Sequence, residues 1–87
     1  MTIATERKFA VEIAYNGVGK RFEVDADEQV GALRSRAVAA FGITQNPHLL
    51  GLFRKDGVEL PDNETLERAG VKPHEELLLR QSAVRGG

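Results

Sequence analysis

The chain has 87 residues and a formal net charge of -1, with 41% hydrophobic and 29% charged residues and no cysteine. This length and balance predict one globular domain, and the lack of cysteine excludes disulfides, thiolate metal sites and a cysteine nucleophile. The nearly neutral charge gives no reason to expect nucleic acid or a membrane surface as a partner.

The first half of the sequence predicts a β-hairpin behind a flexible, polar lead-in of residues 1–7. That lead-in lacks the apolar stretch of a signal peptide, so we expect a cytoplasmic protein. In residues 9–15 large apolar side chains alternate with alanine or glutamate, and in residues 21–25 apolar side chains alternate with charged ones, which is the period of strands with one buried face. Asn16-Gly17 between them is a strong hairpin-turn signal.

A single amphipathic helix is predicted next. Asp25 or Asp27 is placed to cap its N-terminus, and Gly42 is placed to end it. The residues of the apolar stripe recur at helical spacing and should pack on the sheet; they are Val30, Leu33, Ala37, Val38 and Phe41.

The second half predicts three further strands. The apolar run 48–54 and the short segment 58–60 form two of them, and one helical turn is expected over 65–70. Residues 77–79 are all leucine and predict the central strand. The element order predicts an α+β fold of the β-grasp type over residues 8–80, with a mixed five-stranded sheet packed on one main helix.

Catalysis is not expected from this chain. His48 and His74 stand alone near predicted loops, and no nucleophile is accompanied by a base and an orienting group. We therefore predict that the protein is not an enzyme and holds no metal or bound cofactor.

Residues 81–87 form a predicted flexible tail that ends in Arg85-Gly86-Gly87. Seven residues reach roughly 23 to 25 Å when extended. Two residues without side chains can pass along a narrow channel and present an unhindered carboxylate. A free carboxylate is a poor acyl donor, so it would have to be adenylated and then carried as a thioester.

Taken together, the order of elements and the terminus resemble the ubiquitin family over roughly residues 9–87. The resemblance lies mainly in Leu52-Phe53, the Pro61–Leu66 loop, Leu77–Leu79 and the Arg-Gly-Gly ending. It implies that an activating enzyme consumes ATP to adenylate Gly87, and that a conjugating enzyme forms an isopeptide bond with a lysine of a target protein. A deconjugating peptidase would reverse the reaction, and the free modifier would be monomeric.

The departures from ubiquitin point to dedicated machinery. Ala83 lies where ubiquitin has an arginine that activating enzymes read, so the resemblance implies that Ala83, Val84 and Arg85 are read by an enzyme of this chain's own. Lys55 and Lys72 lie close to, but not on, the places of ubiquitin's chain-forming lysines, so the resemblance makes them the candidate attachment points for polymer chains. The alanine- and arginine-rich usage suggests a bacterial source.

An outward-facing patch is predicted on the sheet. If alternate leucines of the last strands point inward, their neighbours point outward, with an exposed Phe-Leu pair beside basic residues. The predicted patch contains Gly51, Phe53, Arg54, Leu78 and Arg80, with Val18 at the hairpin tip.

Two other functions fit the same sequence. A sulfur carrier would end as a thiocarboxylate on Gly87 after the same adenylation. A ubiquitin-like interaction module would bind partners without ever being conjugated.

Overall fold

The computed structural model describes residues 8–82, which fold into one helix and a mixed four-stranded sheet. The elements in chain order are β1 (Lys8–Tyr15), β2 (Val18–Asp25), α1 (Val30–Ala40), a short 3-10 turn (Pro47–Leu49), β3 (Leu50–Arg54) and β4 (Glu76–Gln81). The strand order is β2-β1-β4-β3. β1 pairs antiparallel with β2 and parallel with β4, and β4 pairs antiparallel with β3. The α+β prediction and the central place of the leucine-rich strand are confirmed.

The predicted five-stranded sheet was wrong by one strand. Residues 58–60 make only an isolated bridge between Phe53 and Glu59. The Arg54 N–H donates to the Val58 carbonyl at 2.8 Å, and the Leu60 N–H donates to the Leu52 carbonyl at 2.8 Å. The turn before this segment and Pro61 after it leave too few residues for a ladder.

The predicted helical turn at residues 65–70 is a set of turns instead. The Ala69 N–H donates to the Thr65 carbonyl at 2.9 Å, while the Arg68 N–H bonds to the Thr65 hydroxyl at 3.2 Å. Leu66 is fully buried and anchors this loop in the core.

The hairpin is formed as its turn residues predict. Asn16 and Gly17 both have positive φ, 56° and 82°, as a two-residue type I′ turn requires. Because this turn twists with the strands, β1 and β2 pair in register along all eight residues, from Tyr15 opposite Val18 to Lys8 opposite Asp25.

α1 is held at its N-terminus by the main chain rather than by an aspartate cap. The N-cap is Gln29, without a side-chain hydrogen bond. The Val30 and Gly31 N–H groups donate to the carbonyls of Glu64 and Asp62, at 2.8 and 3.0 Å. The Asp25 carboxylate instead accepts from the Asp27 N–H at 3.0 Å, so the predicted cap by either residue was wrong.

The core lies between α1 and one face of the sheet. Val30, Leu33 and Ala37 of α1 are fully buried, whereas Phe41 is only partly buried and lies against Tyr15 with ring centroids 5.5 Å apart. The sheet contributes alternate residues, including Val11, Ile13, Leu52, Leu77 and Leu79. We call this side the inner face and the opposite side the outer face. Among the described residues, no helix is long and apolar enough to cross a membrane.

Candidate functional site: the outer face of the sheet

The outer face carries the residues that alternate with the core side chains of each strand. Strand pairing places Gly19, Ala14, Leu78 and Phe53 in one row across the sheet. Three of these four residues, Ala14, Leu78 and Phe53, form what we call the apolar strip. The core lies between the helix and the other face of the sheet, so the outer face is the candidate binding surface.

Phe53 lies on the outer face, as its predicted register requires, but it is not exposed. Only 6% of the residue is accessible. The guanidinium carbon of Arg80 lies 4.5 Å from the centroid of the ring, so the cation covers its face. The prediction that Phe53 is exposed was therefore wrong, because Arg80 covers the ring rather than because the strand is shifted.

Leu78 is the accessible apolar member of the strip. It is half-buried in β4, with Ala14 on one side and Phe53 on the other. Arg80, two residues further along the same strand, is exposed. The strip therefore presents an aliphatic side chain next to a cation that already stacks on an aromatic ring.

Gly51 also faces outward but is buried. The Glu59 carboxylate lies over it, and a Cβ on Gly51 would meet that carboxylate and come within 3.3 Å of the Ser82 Cβ. Its predicted place in an open patch was wrong, since it provides room for its neighbours instead of a surface for a partner.

Val18 and Arg54 are separated from the outer face. Val18 is 53% exposed but pairs with Tyr15, which packs against the core from the inner face. Arg54 pairs with the inward Leu77, and its guanidinium donates to the Ala69 carbonyl at 3.0 Å. Alternation along the strands therefore divides the predicted patch between the two faces.

A charged row borders the apolar strip. Glu12 and Arg21 are directly opposite each other on β1 and β2, and Glu12 is beside Glu76 of β4. The Lys55 ammonium is 3.4 Å from the Glu76 carboxylate, with the lysine side chain 75% exposed. Lys72 is exposed in the loop before β4. Both lysines are open to solvent, and their use as attachment points stays a prediction.

The end of β4 is fixed on the outer face. Ser82, directly after the strand, is 1% exposed. Its N–H donates to the Leu49 carbonyl at 2.8 Å and its hydroxyl donates to Glu59 Oε2 at 2.6 Å. Sequence reasoning missed both side chains of this pair. The sequence feature that could have identified it is the alternation of Glu59 with Val58 and Leu60, which predicts that the Glu59 side chain points away from the core.

The predicted reacting and recognition residues lie outside the described part of the chain. These are Ala83, Val84, Arg85, Gly86 and Gly87. Within residues 8–82, no group of three or more histidine, aspartate or glutamate side chains is placed to hold a metal ion.

Comparison with known proteins identifies the fold. No family model matches the chain, and no curated protein matches it. A protein designed de novo on the basis of ubiquitin is similar in structure, with a TM-score of 0.76, 22% identity, and 88% of this chain and 92% of that chain covered. The ubiquitin-like domain of Arabidopsis thaliana protein At2g32350 gives 0.76 and 23%, covering 97% and 88%. The N-terminal ubiquitin-like domain of the 4931431F19Rik protein gives 0.75 and 14%, covering 95% and 83%. The chain therefore has a ubiquitin-like fold.

Proposed function

We propose that this chain is a protein modifier, joined through the carboxyl group of Gly87 to amines of target proteins. The observation that supports it is where the central strand ends. β4 finishes at Gln81, and Ser82 is held on the outer face, in the same strand as Leu78 and Arg80. The Gly87 carboxylate can therefore be at most about 17 Å, the reach of five extended residues, from Ser82.

The proposed chemistry needs nothing from the body of the domain except recognition. An activating enzyme would let the Gly87 carboxylate attack the α-phosphate of ATP, which releases pyrophosphate and leaves an acyl-adenylate. A cysteine thiolate of the enzyme would then displace AMP and form a thioester. After transfer to a conjugating enzyme, a lysine amine of the target would displace the thiolate and form an isopeptide bond. A peptidase would hydrolyse that bond.

Recognition would use the apolar strip and Arg80. Leu78 offers an aliphatic side chain that a partner can bury, and Arg80 offers a cation already oriented by the ring of Phe53. An acidic or carbonyl-rich rim on the partner would complement Arg80, and a shallow apolar surface would complement Leu78.

The test is to express the epitope-tagged chain in its source cell and to search for its adducts. Trypsin cuts after Arg85, so conjugation leaves Gly-Gly on target lysines. Deleting Gly87 should abolish these adducts and leave the folded domain intact. Adducts formed equally by the wild type and by the Gly87-deleted chain would contradict the proposal. The intact mass of the purified protein identifies its terminal residue in the same experiment, and a terminal glycine carrying sulfur for oxygen would instead indicate a sulfur carrier.

A second candidate is an interaction module that is never conjugated. One of its structural neighbours is the N-terminal ubiquitin-like domain of the 4931431F19Rik protein, a domain within a larger chain. Under this function, deletion of Gly87 would leave every phenotype unchanged, whereas Leu78→Asp would abolish binding by placing a charge in the apolar strip.

A further inference from the structure

β2 is an edge strand whose outward main-chain groups are left unused by the sheet. The strand order places β2 at one side of the sheet, next to β1 alone. On β1, the Glu12 N–H donates to the Glu75 carbonyl, so the even-numbered residues of β1 point their main-chain groups away from β2. The odd-numbered residues of β1 therefore bond to β2, and the register makes their partners the even-numbered residues of that strand. The odd-numbered residues of β2 point their N–H and C=O groups away from the sheet; they include Gly19, Arg21 and Glu23.

Among the described residues, only one of these outward groups has a partner. The Glu23 carbonyl accepts a hydrogen bond of 3.0 Å from Arg36, whose guanidinium is also paired with Glu28 at 2.9 Å. The N–H and C=O of Gly19 and Arg21 and the N–H of Glu23 bond to no group in residues 8–82. All three residues are exposed. An edge with open donors and acceptors is a template on which another strand can pair.

The side chains along this edge carry opposite charges that the described part of the fold does not pair. Neither the Arg21 guanidinium nor the Glu23 carboxylate forms an ion pair within residues 8–82. Glu12 is opposite Arg21 on β1, but its carboxylate lies over Gly19. Arg21 and Glu23 both lie on the outer face, two residues apart. A strand that presents a cation and then an anion on one face is complementary to a copy of itself that runs in the opposite direction.

Of the antiparallel registers centred on residues 20–23, one pairs these charges. Residues with outward main-chain groups must face one another for hydrogen bonds to form between the two strands. A pairing centred on Lys20, Arg21 or Glu23 places two like charges directly opposite each other, which is destabilising. A pairing centred on Phe22 instead places Arg21 of each copy opposite Glu23 of the other, and the two Phe22 side chains opposite each other on the inner face.

We propose that two copies of this chain associate through β2, antiparallel about Phe22, into one continuous sheet. Each Arg21 pairs with Glu23 of the other copy, and each such residue pair exchanges two main-chain hydrogen bonds. Arg36 opposes the association, because it holds the Glu23 carbonyl that the second copy needs. Its guanidinium also lies 5.9 Å from the centroid of the Phe22 ring, so two cations meet near the axis of the pair. The chain is therefore monomeric when dilute and pairs at high local concentration.

The pair presents both apolar strips on the same side. The twofold axis is perpendicular to the sheet, so the two outer faces are continuous. The two Leu78 strands are separated by five strand spacings of about 4.8 Å, which places the strips about 24 Å apart across the sheet. A partner with two matching surfaces would bind the pair with higher avidity than the single chain, whether or not the chain is conjugated.

Dilution of the isotope-labelled full-length chain, followed by NMR, tests the pairing. Below about 2 mM, a range in which a Kd of about 1 mM is detected, the amide signals of residues 19–23 should shift together with concentration. The signals of β3, the opposite edge, should stay constant, since residues 58–60 cover part of it. Arg36→Ala should strengthen association roughly twofold to tenfold, because it frees the Glu23 carbonyl. Signals of residues 19–23 that do not depend on concentration in either protein would overturn the proposal.

Exchanging the charges tests the register. Arg21→Glu and Glu23→Arg each place like charges opposite each other, so each variant alone should associate roughly tenfold more weakly than wild type. An equimolar mixture of the two variants restores both opposite-charge pairs and should associate within about threefold of wild type, which a misfolded variant could not do.

Lys20→Glu is the matched control for the charge exchange. It makes the same change of charge as Arg21→Glu on the same strand, but on the inner face, where the register places Val24 of the other copy opposite it. Its association should stay within about twofold of wild type. A loss in Lys20→Glu equal to that in Arg21→Glu, or a mixture of the two charge-exchanged variants that does not associate, would overturn the pairing of Arg21 with Glu23.

Discussion

Replacing Phe53 with alanine is expected to destabilise the fold, although the residue faces away from the helix. Phe53 is 6% exposed, which is as low as several residues of the core. It is covered by the guanidinium of Arg80, whose central carbon is 4.5 Å from the ring centroid. The variant therefore removes a buried aromatic side chain and the partner of a cation in one step.

The magnitude follows from the buried area. Truncation of a buried phenylalanine to alanine removes about 100 Å² of buried apolar surface, which at about 25 cal/mol per Å² corresponds to about 2.5 kcal/mol of stability. Loss of the contact with Arg80 adds about 0.5 kcal/mol, because the cation itself is exposed. The total of about 3 kcal/mol is at the lower end of the range for Phe→Ala in cores, since the flexible arginine can settle into part of the space.

Urea denaturation of the purified chain measures this change. The midpoint should fall while the slope with urea stays constant, as for a loss of stability without a change of mechanism. Phe53→Leu is the matched control and should cost about 1 kcal/mol, because it keeps an apolar group under Arg80. A double-mutant cycle of Phe53→Ala with Arg80→Ala should give a coupling of about 0.5 kcal/mol. A cost for Phe53→Ala below about 1 kcal/mol would mean that the ring is open to solvent and would refute the covered position.

Three further changes test separate parts of the molecule. Leu33→Ala should cost roughly 2–5 kcal/mol in the free energy of unfolding, and a cost below about 0.5 kcal/mol would place the residue outside the core. The Arg36 guanidinium donates to the Glu23 carbonyl at 3.0 Å and so covers part of the outer edge of β2. Arg36→Ala exposes that edge, so self-association measured by light scattering should rise with concentration. An unchanged scattering curve would show that Arg36 does not protect the edge. Ala83→Arg should lower the yield of Gly-Gly adducts, because a charge would be desolvated without a partner in the cognate enzyme, and an unchanged yield would show that position 83 is not read.

The pattern of the sequence predicts the hairpin, the helix and the direction of the leucines because each follows from local rules. Asn16-Gly17 satisfies the positive φ values of a type I′ turn without help from the rest of the fold. Gly42, with φ of 66°, ends α1 in the same way. Alternation in β4 places Leu77 and Leu79 inside, which also fixes Leu78 outside.

The errors concern features set by contacts between distant segments. Alternation assigns Phe53 to the outer face but cannot tell that Arg80, 27 positions away in the sequence, covers it. The N-terminus of α1 needs no aspartate cap because the loop at Asp62 and Glu64 supplies carbonyl groups. Whether a surface side chain is covered, or a helix end is already satisfied, depends on packing that a single sequence does not display.

Side-chain alternation along β4 determines the face of the sheet on which Ser82 lies. Leu77 and Leu79 are locked in the core, so the strand cannot slide, and Ser82 must then face outward toward Glu59. Inserting one alanine between Arg80 and Gln81 would turn Ser82 to the inner face and break its bond with Glu59. Protection of the Ser82 amide from hydrogen exchange should then be lost, while the core amides keep theirs.

The matched control is the same alanine inserted directly after Ser82. It lengthens the C-terminal segment by the same amount, about 3.5 Å when extended, without changing the face on which Ser82 lies. Protection of the Ser82 amide should therefore persist in this variant. Loss of protection in this variant as well would mean that an added residue near the end of the strand breaks the bond to Glu59, whichever face Ser82 occupies.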